Sequence, residues 1–323
     1  MKIIHLVLSD VFAGIEQHVD ELSLMQQRDC DVTILCNKSI ASKFGIKNVV
    51  SIENFNRRSL IGLFRLYSKI KSISPDIVHT HGSKTATVIN NIKRFIKVKH
   101  VASIHGIKNN ISMYEKADKI IAVSNLAKES LNIESTVVKN WWSPSLPDQL
   151  ELNKKYALAV GRLEKVKGFD LLIQSWVGIE SNLVIVGSGN EKSNLLGLIK
   201  SNSLENKITI IDEINFKNLI EHYKNASILI ISSRNEGGPR VALEALHLKI
   251  PVISTNVGHM SDILPNELLA IPDNLESLKS LIQANVGNDF MNQDAIFKYV
   301  SEEYSLPTKN KEVLKIYEEL LVS

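Results

Sequence analysis

The sequence predicts an α/β protein built from two doubly wound domains, each a parallel sheet wrapped by helices. Three observations carry this. Apolar, β-rich runs alternate with helical patterns along the 323 residues, the order that produces parallel sheets with right-handed crossovers. Many runs are apolar at successive positions, as strands buried on both faces must be. The runs fall into two sets around Asn140–Asp148, where two prolines and no helical or strand period mark a linker.

The first set is Ile3–Leu8, Val32–Leu35, Val49–Ile52, Asp76–Thr80, His100–Ile104 and Ile120–Val123. The amino-terminal run is too short for a signal peptide and is broken by Ser9-Asp10, so it reads as the first strand. Arg57 to Ile73 reads as an amphipathic helix with Leu60, Leu63, Phe64, Tyr67 and Ile70 at helical spacing. The second set is Tyr156–Val160, Leu183–Val186, Ile208–Ile211, Ser227–Ile231 and Val252–Ser254. Thr308 to Leu321 reads as a closing helix. The expected division is residues 1–140, a linker at 141–152, residues 153–304, and a C-terminal helix at 305–323 that crosses back to the first domain. The adjacent Trp141 and Trp142 either pack at the hinge or contact a ligand.

Hydrophobic residues make up 44% of the chain, which excludes a disordered protein. Two cysteines, Cys30 and Cys36, suit a reduced cytoplasmic chain better than a disulfide framework. No apolar run is long enough to span a bilayer. The net charge of +3 divides unevenly, with +8 on residues 1–140 and −5 on residues 141–323. The basic half, with Arg57, Arg58, Arg65, Lys69 and Lys71, points to an anionic membrane surface or an anionic lipid-linked substrate, or simply to a solvated helix side. No nucleic-acid partner is expected.

The chemistry gathers at strand ends. Glu236 follows the run ending at Ile231, and Glu244 stands eight residues later, beyond Gly237-Gly238-Pro239. Pro239 fits the first position of a helix. On that helix Arg240, Glu244 and His247 share one face, expected to be the polar stripe that meets solvent or ligand. Gly14 and Glu16 follow the first strand. His79, Thr80, His81 and Gly82 end the fourth, and His105-Gly106 end the fifth. Gly161-Arg162 and Gly187-Ser188-Gly189 end strands of the second set. Open α/β sheets bind ligands at this carboxyl edge, so a cleft between two such edges would collect these residues. Arg162 and Lys167 offer a guanidinium fork and a point charge to a diphosphate. The helix start at Gly237-Gly238 adds backbone N–H groups and a positive dipole end. Carboxylates beside phosphate would repel it, so Glu236 and Glu244 suit sugar hydroxyls better. His79 and His81 point to one face of a strand, but no third metal ligand is evident, so no metal is expected.

Together these residues resemble the retaining glycosyltransferases of family 4, which have the GT-B fold of two Rossmann-like domains facing across a cleft. Gly161-Arg162-Leu163, with Lys167-Gly168-Phe169-Asp170, is similar to that family's donor-phosphate motif. Glu236 and Glu244 match its E-x7-E pair, and Pro251 to Gly258 its following segment. Ala13-Gly14-Ile15-Glu16, Pro75 to Gly82 and Ala117 to Ser124 also fit.

The resemblance implies roles. Arg162 and Lys167 would bind the donor pyrophosphate and act in catalysis with Glu236 and His105. Glu236, Gly237 and Gly238 would hold the donor sugar, and Glu244 the ribose. Gly14 and Gly187 would let backbone approach the donor. Glu16 and His81 would lie on the acceptor side. The donor is a nucleotide sugar, a co-substrate, and no cofactor is expected. The acceptor is a saccharide or lipid-linked saccharide of a cell-surface polysaccharide or lipopolysaccharide, reached at the inner face of the membrane. A nucleotide-sugar epimerase of the same fold and a non-catalytic nucleotide-sugar-binding subunit are the alternatives. The sequence departs from the pattern at Ala13, at Val138 to Trp142 and at His259 to Asp262, where glycine, proline or other turn residues are usual.

Overall fold

A computed structural model describes residues 1–106, 110–130, 133–287 and 292–322. The chain separates into two compact units. Met1–Lys139 and the C-terminal helix form one, and Asn140–Ser305 the other.

The first unit runs β1 (Lys2–Val7), α1 (Gly14–Gln26), β2 (Asp31–Asn37), β3 (Val49–Ile52), α2 (Leu60–Ile73), β4 (Ile77–His81), α3 (Ser83–Ile92), β5 (Lys99–Ile104), β6 (Lys119–Ala122), α4 (Asn125–Glu129) and β7 (Thr136–Val137). The second runs β8 (Tyr156–Val160), α5 (Phe169–Ser175), β9 (Leu183–Val186), α6 (Lys192–Ser201), β10 (Ile208–Ile211), α7 (Phe216–Asn225), β11 (Ala226–Ile231), α8 (Arg240–His247), β12 (Val252–Thr255), β13 (Leu269–Ala270), α9 (Leu275–Asn285) and α10 (Asp294–Glu303). Helix α11 (Leu306–Val322) returns to the first unit and packs on α1.

Both sheets are parallel throughout, in the orders β3-β2-β1-β4-β5-β6-β7 and β10-β9-β8-β11-β12-β13. Every expected strand is present, with ends displaced by at most two residues. The edge strands β7 and β13 were not expected, because two-residue strands carry no period to read. The strands bury nearly all their side chains, as in Ile3, Ile4 and Leu6 of β1 and Ile228, Leu229 and Ile230 of β11. Burying each such side chain stabilises the fold by about 1.5–3 kcal/mol before entropy is counted.

The order of each sheet reverses once, between β1 and β4 in the first unit and between β8 and β11 in the second. Those two reversals are where the crossovers leave on opposite faces, opening a crevice beyond the strand ends.

The structure resolves which face of α2 is buried and moves the start of one helix in the second unit. In α2 the buried ridge is Gly62, Leu66 and Ile70, with Leu63 and Tyr67 half-buried. Leu60, Ile61 and Phe64 are 82%, 69% and 68% exposed. Gly62 explains the rotation, since a Cβ there would come within 2.3 Å of the Phe55 ring. Helix α8 begins at Arg240, with Pro239 at its N-cap rather than at its first helical position.

The stretch 141–152 forms no helix or strand, and it packs within the second unit. Trp141 is buried. The Trp142 backbone N–H donates to the Tyr304 carbonyl at 3.1 Å. Its indole N–H donates to the Ser301 carbonyl at 3.3 Å, and its ring stacks on His247 at 3.8 Å and 11°. Both tryptophans therefore tie the connecting segment to the second unit.

Candidate active site

At the reversal in the second sheet, the loops after β8 and β11 are bonded to each other. Ser232 Oγ donates to the Lys167 carbonyl at 2.9 Å, and the Arg234 N–H donates to the Val166 carbonyl at 2.8 Å. Gly168 makes the approach possible. Its φ is +66°, and a Cβ there would lie 2.0 Å from the Ser232 carbonyl oxygen. The Arg234 guanidinium forks onto both oxygens of Asp170 at 2.7 and 2.8 Å, and also reaches Asp273 at 2.6 Å and the Lys165 carbonyl at 2.6 Å. Burial pushes the Asp170 carboxyl up, but the Arg234 hydrogen bonds, the Arg234 charge and backbone N–H bonds together outweigh this and hold it below the usual range. Sequence reading missed Arg234; an arginine three residues past a buried strand was the available signal.

This brace fixes the central pair. Lys167 Nζ contacts Glu236 Oε1, and both side chains are less than one-fifth exposed. Ser233 Oγ donates to the same Glu236 oxygen at 2.9 Å. Lys167 thus offsets the carboxylate that would otherwise repel a phosphate, and Glu236 retains a second oxygen for a hydroxyl.

Arg162 lies at the same edge, but its guanidinium pairs with Glu164 and is 68% exposed. Gly187 packs tightly against the β8 loop, where a Cβ would lie 1.9 Å from the Gly161 carbonyl oxygen. Gly237 and Gly238 lead into α8. The Gly238 carbonyl accepts from Asn140 Nδ2 at 3.0 Å, and the space a Cβ would fill is taken by the His259 ring at 2.4 Å. His259 replaces a turn residue of the family pattern, and here it buttresses the turn.

Glu244 is placed otherwise than expected. The stripe Arg240–Glu244–His247 does not face open solvent, because Glu244 and His247 are only 5% and 8% exposed. Tyr223 OH donates to Glu244 Oε2 at 2.8 Å, Arg240 Nε donates to the Trp141 carbonyl at 3.2 Å, and Trp142 covers His247. Burial, followed by the Glu244 charge, pushes the Tyr223 phenol well above its ordinary range, so it remains a donor.

In the first unit Gly14 opens α1 on the exposed edge, where a Cβ would meet nothing within 4 Å. Glu16 is buried; its carboxylate accepts from Ser9 Oγ at 2.6 Å and from the Ala13 N–H at 2.9 Å. The structure therefore gives Glu16 a capping role, an alternative to the expected acceptor contact.

His81 and His105 belong to a larger group. The alternation of β4 puts His79 and His81 on one face, and His5 of β1 lies beside them. His5 Nδ1 and His81 Nε2 are 3.0 Å apart, and His81 Nδ1 and His105 Nε2 are 3.3 Å apart. His79 bonds Tyr317 OH of α11 at 2.5 Å and Ser103 Oγ at 2.7 Å. His18 of α1 meets the His105 ring edge-on at 4.8 Å. Burial drives the ring of His5 down to about 4, and those of His79 and His81 well below their ordinary value. The expectation that His79 and His81 lack a third partner is corrected. His5, His79 and His81, and also His18, His81 and His105, bring three ring nitrogens within 4.8 Å.

The chain matches the family described as glycosyl transferases group 1 over residues 146–295, and that described as glycosyltransferase family 4 over residues 12–133. It is 27% identical to an uncharacterised glycosyltransferase of Methanocaldococcus jannaschii, covering 95% of both chains. It is 27% identical to the amylovoran biosynthesis glycosyltransferase AmsD of Erwinia amylovora, covering 72% of this chain and 74% of that one. Its fold superposes on Anabaena HepE in complex with UDP with a TM-score of 0.83, at 14% identity, covering 99% of this chain and 100% of the other. Two Rossmann-like parallel sheets, together with matches to both families, show that the chain has the GT-B fold and belongs to the group 1/family 4 glycosyltransferases.

Proposed function

We propose that this glycosyltransferase moves a sugar from a nucleoside-diphosphate sugar to a saccharide or lipid-linked saccharide acceptor, with retention at the anomeric carbon. The observation that carries this is the Lys167–Glu236 pair, braced at the reversal of the second sheet. Lys167, Arg162 after reorientation, and the amides entering α8 receive the diphosphate. Glu236 accepts hydrogen bonds from the sugar. As the bond from the anomeric carbon to the diphosphate oxygen breaks, a bond to the acceptor oxygen forms on the same face. The acceptor proton passes to the departing diphosphate. The protein supplies orientation and charge stabilisation, and this scheme assigns no step to a metal. Glu244, set by Tyr223, is the ribose contact in this reading.

The AmsD likeness supports a role in building a surface polysaccharide. No helix among the described residues is long and apolar enough to cross a membrane. Exposed Leu60, Ile61 and Phe64 stand beside Arg57, Arg58 and Arg65, and a cavity of about 450 Å³ lined by Asn54, Phe55, Asn56, Arg57 and Lys84 opens next to them. Such a face suits peripheral docking on anionic lipid at the cytoplasmic side. Flotation with anionic vesicles should exceed that with neutral ones; equal recovery contradicts the docking.

A thermal-shift screen against UDP, GDP, ADP and CMP sugars tests the donor class, with UDP sugars first because HepE was solved with UDP. A ligand at 100 times its Kd should add about 2.7 kcal/mol of stability. No shift with any nucleotide sugar, or a Lys167→Ala variant that shifts as the parent does, contradicts the reading.

A further inference from the structure

A second polar group gathers at the carboxyl edge of the first sheet. Asp10 follows β1, Asn54 and Arg57 follow β3, and Lys84 follows β4, so the parallel topology delivers all four to one rim. A cavity of about 450 Å³ opens there, lined by Asn54, Phe55, Asn56, Arg57 and Lys84. Small-molecule sites span about 300–1,000 Å³, so the cavity has the size of one. Two cations line it and no carboxylate does.

The nearby carboxylates are already engaged. Glu53 pairs with Arg65 at 3.3 Å. Both oxygens of Asp10 accept from Asn54 Nδ2, at 2.9 and 2.8 Å, and Asn37 Nδ2 also contacts Asp10. This commits the nitrogen end of the Asn54 amide, and its Oδ1 accepts from Lys84 Nζ at 2.5 Å. Asn54 thus aims the Lys84 ammonium without neutralising it. Asn91 Nδ2 donates to the Arg57 carbonyl at 3.0 Å and ties that loop to α3, while the Arg57 guanidinium pairs with no carboxylate among the described residues. A guanidinium fork and an ammonium at one cavity suit the oxygens of a phosphate. Phe55 joins the cavity to α2, since its ring packs on Gly62 and exposed Leu60, Ile61 and Phe64 stand beside it. Large apolar side chains grouped on a surface mark a contact for an apolar partner.

We infer that this cavity holds the phosphate linker of the acceptor: Arg57 and Lys84 bind the phosphate that joins saccharide to lipid, and Leu60, Ile61 and Phe64 lie against the lipid chain. Charge and apolar surface are both needed to reach this assignment. A free phosphosugar leaves the apolar side chains unused, and an uncharged glycolipid leaves two cations unused. The acceptor class is therefore a saccharide carried on a lipid phosphate or diphosphate, not a free saccharide. This rests on the reading of the chain as a transferase to a saccharide acceptor, whereas binding of a lipid phosphate requires no transfer and is measured separately.

Calorimetric titration of the full chain tests it, with farnesyl diphosphate as the single-chain lipid diphosphate and saturating UDP present to occupy the nucleotide site. Farnesyl diphosphate should bind about tenfold or more tightly than either farnesol or inorganic pyrophosphate, since each comparator lacks one half of the contact. Arg57→Ala combined with Lys84→Ala should weaken farnesyl diphosphate by about tenfold or more, the scale of lost charge-assisted hydrogen bonds, and leave the thermal shift with nucleotide sugar unchanged. Leu60→Ser combined with Phe64→Ser should weaken farnesyl diphosphate but not pyrophosphate. Farnesyl diphosphate affinity unchanged in the Arg57→Ala, Lys84→Ala variant overturns the inference. So does pyrophosphate binding as tightly as farnesyl diphosphate, which would mark a site for free phosphate only. Equal binding of dihexanoylphosphatidylglycerol below its micelle concentration would mark a general lipid-headgroup site and also overturn it. Farnesyl diphosphate binding that persists in a protein showing no shift with any nucleotide sugar would uphold the subsite and count against the transferase reading alone. These side chains lie at the surface or half-buried, and Arg57→Glu alone, which should abolish the binding, repeats the test should the double variant melt early.

Discussion

Lys167 and Glu236 neutralise each other in a spot where either alone would be a poor neighbour. Lysine without glutamate would hold phosphate but not orient a sugar, and glutamate without lysine would repel the diphosphate. Glu236→Gln should therefore lower transfer by about 10²-fold or more, the scale of a lost transition-state contact, while circular dichroism still shows a cooperative melt. In a cycle with Lys167→Ala, the two losses should be less than additive, because each removes the same arrangement. Wild-type transfer by Glu236→Gln refutes its role. The residues of this pair were legible from their place after strand ends. The bracing Arg234–Asp170 fork was not, because nothing in the sequence shows that the β8 and β11 loops lie against each other.

Helix α8 shows how an element can mislead a one-dimensional reading. Its polar residues do line one face, but α10, α7 and the tryptophan segment supply polar partners to that face, so it is buried. Polar spacing announces a face with hydrogen-bonding needs; it does not say whether solvent or protein meets them. Tyr223→Phe tests the consequence. It leaves the Glu244 carboxylate short of a buried donor, at a cost of about 1–3 kcal/mol. It should also weaken nucleotide binding in calorimetry, since Glu244 loses its orientation. Unchanged nucleoside affinity would separate Glu244 from the donor site. Helix α2 was read as amphipathic with two alternatives for its faces; in the structure Gly62 packs against Phe55, and Leu60 and Phe64 face outward.

For the molecule as a whole, two parallel sheets followed from the alternation of apolar runs, whereas the strand orders and their reversal points are read from the structure. The histidine group is the part that required three dimensions, since His5 and His81 come from two strands and His105 directly follows a third. It also sets a pH dependence. His5 titrates at about 4 in the fold, against an ordinary 6.5, and the fold suppresses the basicity of His79 and His81 as well. The unfolded chain then binds more protons below about pH 6.5. Stability is complete above that pH and falls as the pH drops toward 4, by on the order of 3 kcal/mol for His5 alone. The melting temperature should decline steadily from pH 7 to pH 4.5; a flat profile would mean that these rings are not held neutral. The most direct test of the central claim is a crystal structure with a bound nucleotide sugar. It should show diphosphate oxygens on Lys167 Nζ and a sugar hydroxyl on Glu236. A donor bound elsewhere, with Lys167 and Glu236 untouched, would contradict it.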